Sequence, residues 1–350
     1  MMGKIKRNET CFCGSGKKYK HCCLNKDTPI AKVFDNKLFI EQDTNENDIF
    51  IIFDTNAHSF LIDQNNYSNI IDNFEKSKPK IIPHFTDINF YEYLKGINTV
   101  EELIKRQKYI KNIYKSTLGG SLFLSSKSHI QDAIGQLNLA SKQEEILNIL
   151  KYIRFFINLK SLSDFKNTLK KMQDETLKEL VRIKHNKSLR QKNMIQIFKD
   201  YRKSNNLKEI KSRLQSLPKE DDYNVLIPSI LERFEVKAFN KSINRKNIFS
   251  VLPSLKYFID VNWKYNCQMT LNKRKVQAND YFDIEQVIYL NIADYLVTRE
   301  KNLLSWINDS GNPELKGRAI SPNDLLNLIN TNKIIKRAPQ IAKRYKIVKR

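Results

Sequence analysis

The chain has 350 residues, of which 41% are hydrophobic and 10% aromatic, so it can bury a sizeable core. Gly and Pro number nine each, which argues against long disordered linkers. The formal charge of +23 favours a polyanionic partner, with nucleic acid before an acidic membrane. A coding bias toward Lys, Asn and Ile is the alternative explanation. No apolar run approaches the roughly 20 residues that span a bilayer, and no apolar segment follows the basic N-terminus. We therefore expect a cytoplasmic protein that does not contact membranes.

Four of the five cysteines lie close to the N-terminus with the spacing C-x-C-x8-C-C, at Cys11, Cys13, Cys22 and Cys23. In a reducing cytoplasm this cluster favours metal over disulfides, and four thiolates suit tetrahedral zinc. A pair of disulfides is the alternative, and His21 could replace one cysteine as a ligand. The spacing predicts a small structural zinc knuckle within residues 1–30, whose folding energy would come from the metal.

The segment CFCGSGKKYKHCC resembles the SEC-C motif in its paired thiols, its G-S-G turn and its K-K-Y-K run. The resemblance implies a structural zinc ion held by Cys11, Cys13, Cys22 and Cys23. SEC-C modules are adapters on unrelated proteins, so a protein partner or nucleic acid at the knuckle is expected. The motif names no reaction.

The first strands are predicted between residues 37 and 83. A short strand or hairpin is expected at 37–41, and the apolar run FIIF at 50–53 is typical of a buried central strand. Asp54 ends that strand before a turn and a helix. A second strand at 80–83 leads into a helix that Thr86 or Asp87 could cap.

The middle of the chain is predicted to form basic helices. Residues 100–217 carry no strand signal, and residues 151–220 contain 19 Lys and Arg against 7 Asp and Glu, a net charge of +12. Such helices could follow a phosphate backbone. A solvated helical face is the alternative interpretation.

Helices and two short strands are predicted for the last third. Residues 226–260 look helical, and a further helix is expected to start near Asp283 with its apolar face at Ile284, Val287, Ile288 and Ile292. Short strands are predicted at 295–298 and 318–320. A helix should follow the second strand, with Ser321 as N-cap and Pro322 in its first position.

Four carboxylates fall at predicted strand ends or helix starts: Asp54, Glu92, Asp283 and Glu300. In a parallel sheet with helical crossovers, these positions meet at one edge. Carboxylates gathered there would repel one another unless they share a hard cation such as Mg²⁺ or Mn²⁺. Such a site can activate water for an in-line displacement at phosphorus.

Each carboxylate also has an ordinary structural interpretation. Asp54 could merely cap the following helix, and Asp283 could be an N-cap. Glu92 could be a solvated helix residue and Glu300 a surface turn residue.

Four segments together resemble the successive signatures of a PIN domain: FIIFDTN, INFYEYL, NDYFDIEQVIYLNIADYLVTREKNLL and RAISPNDLL. This family has a small α/β fold with a parallel sheet and includes many Mg²⁺- or Mn²⁺-dependent ribonucleases, toxins among them. The resemblance implies that Asp54, Glu92 and Asp283 are metal ligands, with Asn56 in a supporting place. Thr298 and Glu300 fall on the family's T-x-D pattern.

The sequence departs from the PIN pattern in three places. Glu300 stands where Asp is usual, Asp280 competes with Asp283, and Asp87 competes with Glu92. A helical segment of roughly 120 residues would also separate the second acidic position from the third.

The predicted fold class is α/β, a PIN-like parallel sheet flanked by helices with a large helical insertion and an N-terminal zinc knuckle. The predicted boundaries are 1–30 for the knuckle, 45–120 and 226–332 for the PIN-like parts, 121–225 for the basic insertion and 333–350 for a basic tail. The predicted function is an endoribonuclease with catalytic Mg²⁺ or Mn²⁺ at Asp54, Glu92, Asp283 and Glu300, with RNA favoured over DNA as the nucleic acid and the choice between them left open. A non-catalytic RNA- or ribosome-binding protein is the alternative, and toxin, defence and RNA-processing roles stay open.

Overall fold

The structure is a computed structural model. It describes residues 38–43, 47–64, 76–94, 96–117, 125–137, 139–172, 216–234, 248–272, 280–339 and 343–348, with isolated positions between them at 70, 73, 74, 192, 196, 199, 200, 203, 208, 212, 236 and 277. The predicted zinc knuckle, with Cys11, Cys13, Cys22 and Cys23, lies outside the described residues. So does most of the segment 173–215.

Within the described residues, six strands form two sheets. In chain order they are β1 (Leu38–Asp43), β2 (Ile49–Phe53), β3 (Ile81–His84), β4 (Tyr295–Val297), β5 (Ala319–Ile320) and β6 (Lys343–Val348). Strands β2 to β5 make a four-stranded sheet in the order β3-β2-β4-β5, and each neighbouring pair is parallel. The predicted α/β class with a parallel sheet is confirmed.

Helices fill the connections between these strands. They are α1 (Thr55–Asp63), α2 (Asp87–Leu94), α3 (Val100–Thr117), α4 (Ser126–Ala133), α5 (Leu139–Ile157), α6 (Leu162–Met172), α7 (Glu220–Arg233), α8 (Ile248–Val251), α9 (Pro253–Asn272), α10 (Asp280–Glu285), α11 (Lys301–Asn308) and α12 (Pro322–Asn330). A 3₁₀ helix at Gln286–Asn291 continues α10. In the described part of 100–217 every regular element is a helix, as predicted.

The sheet is buried on both faces because its central strand is apolar at every position. Ile49, Ile51 and Phe53 point into one core, formed with helices α1, α2, α3, α5 and α12. Phe50 and Ile52 point into a second core, formed with α7, α9, α11 and the 3₁₀ helix. Successive side chains of a strand face opposite sides, so a continuous apolar run has to be covered twice.

Strands β1 and β6 form a separate two-stranded sheet in an antiparallel register, with Leu38 opposite Val348 and Asp43 opposite Lys343. Strand β1 corresponds to the strand predicted at 37–41. Strand β6 lies within the predicted basic tail, where the sequence pattern had indicated no strand. Its pairing partner lies about 300 residues away, so local periodicity carries no signal for it.

Two local predictions about the last third need comparison with the structure. The helix expected to start near Asp283 begins three residues earlier, at Asp280, and passes into the 3₁₀ helix before Ile292. The carboxylate of Asp280 accepts the backbone N–H of Gln277 at 2.9 Å, which stabilises this earlier start. The helix with Ser321 as N-cap and Pro322 in its first turn is confirmed.

A second buried carboxylate ties the chain together at the start of β4. Asp294 accepts the backbone N–H of Phe50 at 2.7 Å and those of Arg337 and Ala338 at 2.5 and 2.7 Å. Lys336 pairs with it at 3.3 Å. The segment after α12 is therefore held against the edge where β2 and β4 begin.

Among the described residues, none of the helices has both the length and the apolar composition that crossing a bilayer demands.

Candidate functional site

The carboxyl ends of β2 and β4 lie side by side and bring Asp54 next to Thr298. The backbone N–H of Asp54 donates to Val297 O at 2.9 Å, which extends the pairing of the two strands by one residue. The buried hydroxyl of Thr298 donates to Asp54 Oδ2 at 2.7 Å. Asp54 Oδ1 accepts the N–H of Asn56 at 3.1 Å as the N-cap of α1. The side chain of Asp54 is therefore fixed by two donors, one of them 244 residues away.

Helix α2, which follows β3, brings Glu92 to the same edge. The hydroxyl of Thr55 donates to Glu92 Oε2. The amide of Asn89 donates to Phe53 O at 2.8 Å and to Thr55 Oγ1 at 3.3 Å. These bonds hold the first turn of α2 against the end of β2, and Glu92 lies one turn further along.

Glu300 follows β4 and occupies the N-cap position of α11, where its side chain makes no capping hydrogen bond. Its carboxylate instead accepts from Asn56 Nδ2 at 2.9 Å. Its backbone N–H donates to Thr298 Oγ1 at 3.0 Å. The predicted supporting residues, Asn56 and Thr298, thus contact the carboxylates of Glu300 and Asp54.

Helix α10 contributes two acids from the far side of the long helical segment. Asp280 accepts the backbone N–H of Gln277 and, at 3.4 Å, the hydroxyl of Tyr265. Asp283 lies inside the first turn of α10 and is partly buried. The interpretation of Asp283 as an N-cap is wrong, because the helix has already started at Asp280.

All four predicted carboxylates line one cleft of about 250 Å³, which we call the carboxylate cleft. Its charged wall residues are Asp54, Glu92, Asp280, Asp283, Glu300 and Arg106. Within the described part of the chain, Arg106 is the single cationic residue of this wall. The structure therefore brings together the four acids that the sequence singled out and adds Asp280, their competitor, to the same wall. The side chain of Asp87 lies outside the described residues.

The acids of the cleft are electrostatically strained. Burial raises the pKa of Asp54 from 3.8 to about 6, opposed by the hydrogen bonds from Thr298 and Asn56 and reinforced by the charges of Glu92 and Glu300. The pKa of Asp283 is raised well above its ordinary value, first by burial and then by the other carboxylates of the cleft. Desolvated like charges favour either protons or a bound cation.

Carboxylate oxygens are the type of ligand that a hard divalent cation prefers. Mg²⁺ keeps several waters and is commonly bound through one or two carboxylates together with substrate phosphates, so a closed protein cage is unnecessary. Among the residues that the structure describes, no three Asp, Glu, His or Cys side chains converge closely enough to enclose an ion by themselves. The cleft thus offers an open set of oxygen ligands. A bound cation would stabilise the carboxylates of Asp54 and Asp283 most, because these two acids have raised pKa values.

Sequence reasoning missed two parts of this site. Thr55 and Arg106 both line the cleft. Thr55 stands in the FDTN segment beside Asp54, and a hydroxyl next to a strand-end carboxylate is a signal that could have found it. Arg106 lies on α3, in a run of helical basic residues in which nothing local distinguishes it.

The two histidines near predicted strand ends, His58 and His84, are both buried. His58 Nδ1 hydrogen-bonds the hydroxyl of Tyr93 at 2.8 Å, and burial lowers the pKa of His58 to about 3. Neither histidine lines the carboxylate cleft.

Comparison with known proteins places one segment in a family. Residues 7–25 match the SEC-C motif, and this segment contains all four cysteines of the predicted knuckle. The SEC-C part of the sequence resemblance is therefore confirmed. No curated protein matches the chain, and no solved structure matches it.

Proposed function

We propose that the protein is a PIN-like, metal-dependent endoribonuclease with an N-terminal zinc knuckle. The observation that carries this proposal is the meeting of Asp54, Glu92, Asp283 and Glu300 in one cleft at the carboxyl edge of a parallel sheet. Ligand sites of open α/β sheets lie at this edge. A strongly basic chain with a concentrated acidic cleft suits a polyanionic substrate and a cationic cofactor.

The roles of the residues follow from their contacts. Asp54 and Asp283 would hold the Mg²⁺ or Mn²⁺, and Glu92 and Glu300 would complete its surroundings. Bound there, the cation supplies Lewis acidity for hydrolysis of a phosphodiester. Thr298 orients the carboxylate of Asp54, while Thr55 and Asn56 orient those of Glu92 and Glu300.

The SEC-C match supports a structural zinc ion at Cys11, Cys13, Cys22 and Cys23. Four thiolates leave no open ligand position, so we assign the knuckle to binding a protein partner or nucleic acid rather than to catalysis. The basic helical segment and the basic tail would attract RNA.

The decisive experiment removes one carboxylate. Asp54→Asn should lower Mn²⁺-dependent cleavage of RNA by at least about 100-fold, because it removes a charged ligand of the cation. The matched control is Asp221→Asn, the same change in the first turn of α7 on an exposed side chain. Both variants are purified in parallel, so a contaminating ribonuclease would leave them equally active.

Calorimetric titration with Mn²⁺ gives a readout that does not depend on activity. Wild type and Asp221→Asn should bind the ion, and Asp54→Asn and Asp283→Asn should bind it at least about tenfold more weakly. Unchanged cleavage and unchanged Mn²⁺ affinity in Asp54→Asn would remove the basis of the nuclease assignment.

Two observations favour a second candidate, a non-catalytic RNA- or ribosome-binding protein. Glu300 stands at a position where the PIN pattern has Asp, and no three acids of the described residues enclose an ion. This candidate predicts RNA binding with a steep salt dependence and no cleavage at any Mn²⁺ concentration. Cleavage by wild type that Asp54→Asn abolishes excludes it.

A further inference from the structure

A second cavity, of about 340 Å³, opens beside the carboxylate cleft and shares Asn56 and Arg106 with it. Three cationic side chains line it, namely Lys105, Arg106 and Arg299, and we call it the arginine cavity. Its volume lies in the range of pockets that hold small ligands. A cationic cavity thus adjoins an acidic one.

The acids in the wall of the arginine cavity are already engaged. Asp63 accepts the hydroxyl of Tyr109 at 2.8 and 2.9 Å and pairs with Lys105 at 3.5 Å. Glu102 accepts two backbone N–H groups at the start of α3, at 2.7 and 3.0 Å. Among the described residues, neither acid lies within 4.0 Å of the guanidinium of Arg106 or Arg299, although the two backbone hydrogen bonds and, after them, the charge of Arg106 lower the pKa of Glu102.

Aromatic rings hold the two arginines in place. The guanidinium of Arg106 lies 5.7 Å from the ring centre of Tyr93, and that of Arg299 lies 4.7 Å from the ring centre of Phe60. Stacking on a ring fixes a guanidinium while leaving its in-plane N–H donors available. A planar fork of such donors matches the oxygens of a phosphate.

We propose that the arginine cavity is the subsite for one nucleotide of single-stranded RNA, adjacent to the phosphate that lies in the carboxylate cleft. Arg106 stands at the junction of the two cavities and binds the phosphate that links them. Arg299, supported by Phe60, binds the next phosphate and offers its guanidinium face to a base. This inference rests on the proposed function, because it places the same strand across both cavities.

We assign single-stranded rather than duplex RNA to this subsite because of the way in which a base would be bound. Bases stack on aromatic rings and on guanidinium planes when they are unpaired, whereas a duplex hides these faces inside its own stack. The guanidinium of Arg299 lies 4.7 Å from the ring centre of Phe60, and Arg299 is exposed, so an unpaired base can approach the guanidinium from the solvent side.

The test measures binding of a short fluorescent oligouridine by anisotropy in buffer without Mg²⁺, Mn²⁺ or a chelator, where metal-dependent cleavage is stopped and the zinc of the knuckle is retained. Arg106→Ala/Arg299→Ala should weaken binding about 100-fold, since each arginine contributes about tenfold. The slope of log affinity against log salt should become shallower by about 1.4, because two phosphate contacts are lost. The matched control is Lys80→Ala/Lys316→Ala, which removes two exposed cations before β3 and β5, at the opposite edge of the sheet.

A milder variant distinguishes a loss of RNA binding from a folding defect. Arg106→Lys/Arg299→Lys keeps both charges but loses the planar forks, and we expect it to bind about tenfold more weakly than wild type with an unchanged thermal melting temperature. Competition with duplex RNA of the same length should displace the oligouridine poorly.

Three results would overturn the subsite: no binding by wild type, binding by the alanine variant within threefold of wild type, or an equal loss in the lysine control. Failure of the nuclease assignment looks different. If Asp54→Asn keeps full cleavage while the arginine variant loses binding, the carboxylate assignment fails and the subsite stands.

Discussion

Each end of the four-stranded sheet buries an aspartate, and the electrostatic surroundings of the two carboxylates are opposite. Asp294, where β4 begins, accepts three backbone N–H groups and pairs with Lys336. Asp54, where β2 ends, receives one hydroxyl and one N–H and shares the wall of the cleft with four other acids. A buried carboxylate with enough donors stabilises a fold, and one among like charges costs free energy until a proton or cation arrives.

The largest expected effect is the difference between Asp294→Asn and Asp54→Asn in the free energy of unfolding. Asp294→Asn replaces one of the two accepting carboxylate oxygens by an NH₂ group, so at least one of the three N–H groups faces a donor, and it leaves Lys336 without its acidic partner. We expect a loss of about 3–5 kcal/mol in the free energy of unfolding, measured by urea denaturation. Asp54→Asn should leave this free energy equal to or above that of wild type near pH 8, because it removes a desolvated charge. Equal destabilisation by both substitutions would contradict the contrast between the two ends.

The next largest effect is a pH dependence of the free energy of unfolding that is caused by the titration of Asp54. Its pKa is raised in the folded protein from 3.8 to about 6. The stability contributed by its proton is therefore fully present below pH 3.8 and is lost as the pH rises through about 6. The shift of about two units corresponds to about 3 kcal/mol.

This pH dependence is measured as a difference between two proteins in metal-free buffer. The free energy of unfolding of wild type minus that of Asp54→Asn should fall by about 3 kcal/mol between about pH 4 and about pH 8. Burial lowers the pKa of His58 to about 3 and of His129 to about 4, which destabilises the folded protein toward low pH. Both histidines are present in both proteins, so their contribution cancels. A flat difference would show that Asp54 titrates normally.

The smallest effect tests the bond between the two strand ends. Thr298→Val keeps the shape of the side chain and removes the donor that lies 2.7 Å from Asp54. Without this bond the pKa of Asp54 should rise by about one unit further, because the hydrogen bond stabilises the ionised form. Thr298→Ser keeps the hydroxyl and should keep the wild-type value. The check is an NMR titration of the Asp carboxyl carbons, in which identical titrations of Val and Ser variants would assign no electrostatic role to Thr298.

The order of elements was predictable because hydrophobic patterning and capping chemistry are local. The run at 50–53, the strand at 295–298 and the Ser321 N-cap were each indicated by residues within a few positions. The start of α10 was misplaced by three residues, because the N–H that fixes it belongs to Gln277, in a segment without apolar periodicity. The pairing of β1 with β6 joins the two ends of the described chain and has no local signal.

The acids of the site were predictable as strand-end and helix-start residues, but their state was not. Nothing in the letters FDTN says that Asp54 is buried beside Thr298 or that its pKa is raised, because both depend on β4 lying next to β2. The same holds for Arg106 and Arg299, which meet at one cavity from separate helical connections.

The amino-acid sequence by itself determined that four acids would lie at strand ends or helix starts and that four cysteines would form a SEC-C motif, since periodicity and spacing are properties of neighbouring residues. Tertiary structure alone decided which acids share a cleft, which aspartate is satisfied and which is left charged among like charges. The reason is physical: burial and electrostatic interactions act through space, between strand ends that lie 244 residues apart along the chain.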